Sequence, residues 1–232
     1  MSQKDDVITA LENNKGFATL SELYRLTNTN HWETKTPFAS IRRIVQTNKE
    51  FYKIASGLWG LSEKKQEIDK NLNLKDDESQ FTHSYYQGLV VLLGNLRGFE
   101  TFIPNQDKNK YFMSTKLCDL ATLKSIYQFS YDELIQKAKF SDCIWFNERK
   151  MPYAFYEVEH STNIKNSINR FYELQDFRAK FYIIAHQNRY KEFQNIISNS
   201  IYKEIKYMVR FADYDSIAKQ YEKENIKCEM GI

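Results

Sequence analysis

Residues 141–162, SDCIWFNERKMPYAFYEVEHST, hold two runs rich in aromatic and β-branched residues, CIWF and YAFYEVE, on either side of a polar connection. Such runs read as strands, and residues 147–152 as the loop of an antiparallel pair. Acids stand where a paired strand should be buried: Asp142 before the first run, Glu157 and Glu159 inside the second. With Phe146 opposite Tyr153, paired residue numbers sum to a constant, and Asp142 falls opposite Glu157. Strand side chains alternate, so Glu157 and Glu159 share that face, and the three carboxylates are expected within roughly 5–7 Å of one another. Like charges that close repel, and a compensating cation is expected between them. The donors are all oxygen and no cysteine or histidine set has zinc spacing, so the expected ion is Mg²⁺, with Mn²⁺ able to replace it. In the alternative reading Asp142 and Glu159 are ordinary strand-end polar residues and the register is shifted.

The pattern alternates on both sides of the hairpin. HSYYQGLVVLLGNLR (83–97) is helical and GFETFIP after it reads as a strand. Residues 111–140 are mostly helical in pattern, LCDLATLKSIY and then YDELIQKAKF with Ser130 as cap. After the hairpin come a helix in STNIKNSINRFYELQDF, a strand KFYIIA and a further helix from near Asn188. This order gives an α/β core with a mixed central sheet flanked by helices.

Upstream, residues 63–80 (EKKQEIDKNLNLKDDESQ) are polar and lack aromatic residues. They read as a linker or short exposed helix between residues 1–62 and 81–232. Residues 1–62 open with a helix in DDVITALENN, and GFATLSELYRLT begins a second with Thr19 or Ser21 as N-cap. A third helix, in TKTPFASIRRIVQTN, takes Thr36 as cap and Pro37 at its first position. FYKIASGLWGL then forms a hairpin about Ser56 and Gly57. Three helices and a β-wing make a small winged helix-turn-helix domain. Between Thr34 and Lys49 there are four basic residues and no acid, as suits a helix presented to phosphates. Lys35, Thr36, Ser40, Arg42, Arg43, Gln46 and Lys49 are the candidate DNA contacts, unless they are merely the solvated face of an amphipathic helix. The stretch resembles the winged-helix domain found fused to restriction endonucleases and in some chromatin regulators, with Lys35-Thr36-Pro37 and a wing ending Gly57-Leu58-Trp59-Gly60-Leu61. That resemblance implies duplex DNA contact.

Composition bounds the rest. A chain of 232 residues can bury a real core. Three scattered cysteines make neither a disulfide framework nor a metal knuckle, no apolar run approaches the roughly 20 residues of a membrane span, and a cytoplasmic protein is expected. A net charge of only +3 means that a nucleic-acid partner rests on where the basic residues lie. No nucleophilic triad or Gly-rich phosphate loop supports ATP-driven chemistry.

Ser141-Asp142, a 14-residue spacer and Glu157-Val158-Glu159 resemble the signature of the PD-(D/E)XK restriction-endonuclease superfamily, over residues 83–198, with Ser141 in place of the proline and Glu159 in place of the lysine. The resemblance implies a Mg²⁺-dependent endonuclease that hydrolyses double-stranded DNA to 5′-phosphate ends, a type II or modification-dependent restriction enzyme. Its metal set would be Asp142, Glu157, Glu159 and Val158; in place of the missing lysine, either Glu159 acts as base or holds a second metal, or Lys165 swings in, unless Lys165 is a plain surface residue, and Gln87 stands where the superfamily often has a glutamate, unless it is a helix-surface amide. Arg170 and Gln175, on the helix after the motif, either touch DNA phosphate or are the solvated face of that helix, and His160, on the opposite face of the strand, is expected to be packed or hydrogen-bonded. A homodimer and a cognate methyltransferase complete the implied system. The alternative is a non-catalytic DNA-binding regulator on an inactivated nuclease fold.

Overall fold

The computed structural model describes residues 2–74 and 78–230. It divides into two units, Met1–Glu78 with Asn225–Ile232, and Ser79–Glu224.

In the first unit, Ser2 caps α1 (Gln3–Asn13). There follow β1 (Phe17–Thr19), α2 (Leu20–Leu26), α3 (Pro37–Thr47), the hairpin β2 (Phe51–Ala55) and β3 (Leu58–Leu61), and α4 (Lys65–Asn71). Gly57 turns the hairpin with φ +79°, a conformation that glycine adopts without strain. Phe17–Thr19, for which the sequence reading gave no strand, pairs with Leu58–Gly60 as the third strand of an antiparallel sheet, and Thr19, of the two caps considered, is the N-cap of α2. The helix starts only after Thr19, whose hydroxyl and Glu22 form a capping box. Thr36 precedes α3 as expected, although its side chain makes no capping bond. Val7, Leu11, Leu23, Ile41 and Leu61 fill the core. Within the polar segment 63–80, α4 buries Ile68 completely, and residues 75–77 lie outside the described ones.

The second unit begins with α5 (Glu78–Leu96) and β4 (Glu100–Phe102). A small hairpin, β5 (Tyr111–Phe112) and β6 (Thr115–Lys116), leads through α6 (Leu117–Leu120) to α7 (Asp132–Ala138). Then come β7 (Cys143–Phe146), β8 (Pro152–Glu159), α8 (Ile164–Glu173), β9 (Lys180–Ala185), α9 (Tyr190–Ile197), β10 (Val209–Asp213) and α10 (Tyr214–Met230). The sheet runs β10-β9-β8-β7-β4, antiparallel from β4 to β8 and parallel from β8 to β10. It is the mixed central sheet with flanking helices that the pattern implied. β8 lies at its centre, and Phe155 packs with Phe171 of α8 and Phe181 of β9 in the main core. No helix among the described residues is long and apolar enough to cross a membrane.

Cys143, Ile144 and Trp145 pair with Tyr156, Phe155 and Ala154, the expected constant sum. A bulge then moves Phe146 opposite Pro152 instead of Tyr153. Its source is the turn: Asn147 Oδ1 accepts the N–H groups of Arg149 and Met151, and Lys150 takes φ +60°.

Residues 117–127 do not form the helix their periodicity suggested. α6 ends after one turn because the chain is recruited to β4: Thr122 N–H donates to Thr101 Oγ1, and Leu123 N–H donates to the Thr101 carbonyl at 2.9 Å. Nor does Ser130 cap the next helix, since Tyr131 precedes α7 and makes no side-chain cap. The strand β10 and helix α10 had no counterpart in the sequence reading.

α5 carries two close approaches, Gly88 against the ring of Phe112 and Gly94 against Trp145. A Cβ on Gly94 would come within 2.6 Å of the Trp145 indole, whose Nε1–H donates to the Val90 carbonyl. Gly94→Ala gains about 1 kcal/mol of helix propensity, yet overpacks a rigid buried ring at a cost of about 1–3 kcal/mol. The expected net loss, up to about 2 kcal/mol, is read from the urea midpoint at unchanged m.

Candidate active site

Glu157 and Glu159 sit two residues apart on β8 and so on one face, and they are only 3 % and 4 % exposed. Asp142, immediately before β7, is 8 % exposed, and the paired register carries it to the level of Glu157. Three carboxylates kept from water require partners.

Each has found one. Asp142 Oδ2 accepts the Val158 N–H at 2.7 Å and lies 3.3 Å from His83 Nε2 on α5. Glu157 turns both oxygens to Arg170 Nη1, at 2.5 and 2.6 Å, and the same nitrogen donates to the Phe140 carbonyl. Glu159 accepts from the hydroxyls of Thr162 and Ser167, and Ser167 Oγ also lies 3.4 Å from Glu157 Oε2. Ser167 and Arg170 reach the acids together because they stand three residues apart on α8, a helix begun by the Asn163 cap.

Below Asp142 the chain is fixed by Gln87, fully buried, whose Nε2 donates to the Asp142 carbonyl at 2.7 Å and to Asp107 Oδ2 at 2.9 Å. Asp107 in turn pairs with Lys110. Gln87 Oε1, His83 Nδ1 and Ser141 Oγ are buried with no hydrogen-bond partner among the described residues. Burial pushes the Glu157 carboxyl well above the usual carboxylate range, the charge of Asp142 adds to this, and Arg170 opposes it. Burial would lower the pKa of His83, but its hydrogen bond to Asp142 and the charges of Asp142 and Asp107 outweigh it and leave the pKa raised.

Of the residues chosen from sequence, Asp142, Glu157, Val158, Glu159, Gln87 and Arg170 meet here. Val158 enters through its N–H to Asp142. Lys165 does not join them: it is exposed on the first turn of α8, where its N–H completes the Asn163 cap. His160 follows on the opposite face of β8, 3.5 Å from the Tyr214 hydroxyl. Lys35, Thr36, Arg42, Arg43, Gln46 and Lys49 are exposed, and Ser40 half-buried, on α3 of the first unit and just before and after it. His83, Asp107 and Ser167 were missed. His83 lies four residues before Gln87, on the same helix face, a spacing that signals a shared target; Asp107 has no such signal.

The donor chemistry of the three acids is that of a hard divalent cation. Their present arrangement is not: among the described residues no group of three or more His, Cys, Asp or Glu side chains is placed to hold a metal ion. Arg170 occupies Glu157, and the two hydroxyls occupy Glu159.

A mixed α/β unit with buried acids at one end of its central hairpin is compatible with a nuclease-like core. Residues 63–230 match the family described as the type II restriction enzyme NmeDI C-terminal domain, and the chain belongs to that family. It is 31 % identical over 99 residues to the type II restriction enzyme NmeDI of Neisseria meningitidis serogroup C, a match covering 40 % of this chain and 28 % of that enzyme. The chain thus spans less than a third of the length of this curated relative. No solved structure matches it.

Proposed function

We propose that the second unit is the catalytic core of a DNA endonuclease of PD-(D/E)XK type, a type II or modification-dependent restriction enzyme, and that the first is a winged-helix domain gripping the same duplex. The observation that carries this reading is the burial of Asp142, Glu157 and Glu159 together at the end of one hairpin, in a chain of a restriction-enzyme family. Asp142, Glu157 and Glu159 would hold Mg²⁺, or Mn²⁺ in its place, once Arg170 leaves Glu157. Such an ion would polarise a phosphodiester and acidify the attacking water. The chain's own groups do the positioning. Val158 N–H and His83 aim the Asp142 carboxylate, Gln87 fixes its main chain, and Glu159, standing where a lysine is usual, would orient water on the phosphate. Hydrolysis would leave 5′-phosphate ends. One such site cuts one strand, so a double-strand break calls for a homodimer or two successive nicks. A methyltransferase protecting host DNA would accompany a type II enzyme.

Plasmid DNA with Mg²⁺ tests the reading. Discrete fragments are expected of a site-specific enzyme, and cutting of methylated substrate alone of a modification-dependent one. Retarded but intact DNA would instead indicate a regulator on an inactivated nuclease, a reading favoured by one feature, the arginine seated on Glu157.

Duplex binding by the first unit has its own test. Replacing Arg42 and Arg43 together by Ala should lower affinity about tenfold and make the slope of log K against log salt shallower by about 1.8, the value for two phosphate contacts. Unchanged affinity and slope by fluorescence anisotropy would remove α3 from the interface.

A further inference from the structure

The chain from the end of β4 to Phe140, just before β7, lines a cleft of about 510 Å³ in the second unit, within the size range of small-molecule sites. Among the described residues three lysines line it, Lys108, Lys124 and Lys139, and no carboxylate does. Lys108 spends its ammonium on the Lys124 carbonyl at 3.0 Å, whereas the ammonium groups of Lys124 and Lys139 have no partner among the described residues. Gln128 is tied to Ser130 and Asp132, but the amides of Asn105, Gln106 and Gln136 have no partner among the described residues. The ring of Phe140, 55 % exposed, completes the wall. Ammonium groups answer phosphate, amides present a donor and an acceptor to a base edge, and an exposed ring offers a face for stacking. That combination is the chemistry of a nucleotide.

The cleft also adjoins the acids. Phe140 stands two residues before Asp142, and its carbonyl accepts from Arg170, the residue paired with Glu157. We propose that the cleft receives one nucleotide of the DNA strand beside the phosphate to be cut, its phosphate on Lys124 and Lys139 and its base against Phe140 and the free amides. The assignment rests on the nuclease reading above, and it makes the chain between β4 and β7 a determinant of which sequence is cut.

The test is binding of a fluorescent duplex to the full chain without divalent cation, wild type against Lys124→Glu/Lys139→Glu, with Lys124→Gln/Lys139→Gln as the milder pair should the first misfold by circular dichroism. The expected result is at least a tenfold loss of affinity and a salt slope shallower by about 0.9, the value for one phosphate contact. Deoxynucleoside monophosphate should also compete with the duplex better than inorganic phosphate at equal ionic strength. Wild-type affinity and slope in a folded variant, equal competition by phosphate, or no duplex binding by the wild type would each overturn the proposal. Mononucleotide binding lost in the variant with duplex binding unchanged would make the ligand a free nucleotide, and overturn it too. Plasmid cutting with Mg²⁺ separates the two claims: cutting with unaltered binding curves sinks the cleft and spares the nuclease, and altered binding without any cutting by the wild type sinks the nuclease, and with it the cleft's place beside a cut, leaving a DNA contact alone.

Discussion

Glu157→Gln is expected to cut duplex DNA about a thousandfold more slowly, or not at all, while melting at a higher temperature than the wild type in the absence of metal. The rate loss follows from the proposed clamp: electrostatic stabilisation by a held cation is worth several kcal/mol, and about 4 kcal/mol is three decades. The stability gain follows from burial. Glu157 has a raised pKa because burial, and then the charge of Asp142, disfavour its ionised form more than Arg170 favours it. Below the ordinary carboxylate pKa the group is neutral whether folded or unfolded, and folding carries no penalty. As pH rises through the interval up to the folded pKa the penalty grows, and above it the penalty is complete. Glutamine keeps the size and an acceptor for Arg170 but no charge, so its advantage is nil near pH 4 and largest at neutral pH and above. Melting curves in EDTA across that range measure the first claim, and added Mg²⁺ should then raise the wild type alone. A variant that cuts at the wild-type rate, or melts lower at neutral pH, contradicts the site.

The hairpin was legible because two independent patterns agree on it. Alternation fixed which residues face which way, and the constant sum fixed the level of Asp142 against Glu157, which holds from Cys143 to Trp145. The bulge was not legible, since it depends on a side chain, Asn147, closing the turn on itself. Residues 117–127 misled for a different reason. Their helical periodicity is real, but the apolar stripe of Leu123, Ile126 and Tyr127 packs on the core from an irregular backbone, held there by hydrogen bonds to Thr101. Propensity yields to tertiary bonding in such a case. The acids could be found as an unpaired set; their partners could not. Arg170 reads as a surface residue free to meet phosphate, and only the return of α8 across β8 turns its guanidinium onto Glu157.

Arg170→Met should therefore destabilise the metal-free protein by about 3 kcal/mol, the usual cost of stranding one member of a buried ion pair. Glu157 is almost wholly buried, the Arg170 side chain is mostly so, and methionine preserves the aliphatic bulk while deleting the charge and the donors to Glu157 and the Phe140 carbonyl. The stranded carboxylate would remain beside Asp142 and Glu159, three acids with one cation fewer. Magnesium then separates two roles for the arginine. If the acids form the proposed site, Arg170 competes with the ion for Glu157, and deleting it should tighten Mg²⁺ binding. At about a hundredfold the dissociation constant, bound ion restores about 2.7 kcal/mol, close to the loss itself. Urea denaturation with and without Mg²⁺ reads both numbers. A variant destabilised and indifferent to Mg²⁺ would make Arg170 the permanent cation of a structural cluster, and the endonuclease reading would fall with it. A variant as stable as the wild type would mean that the Arg170–Glu157 pair contributes nothing to the fold, leaving the three buried charges without a physical account.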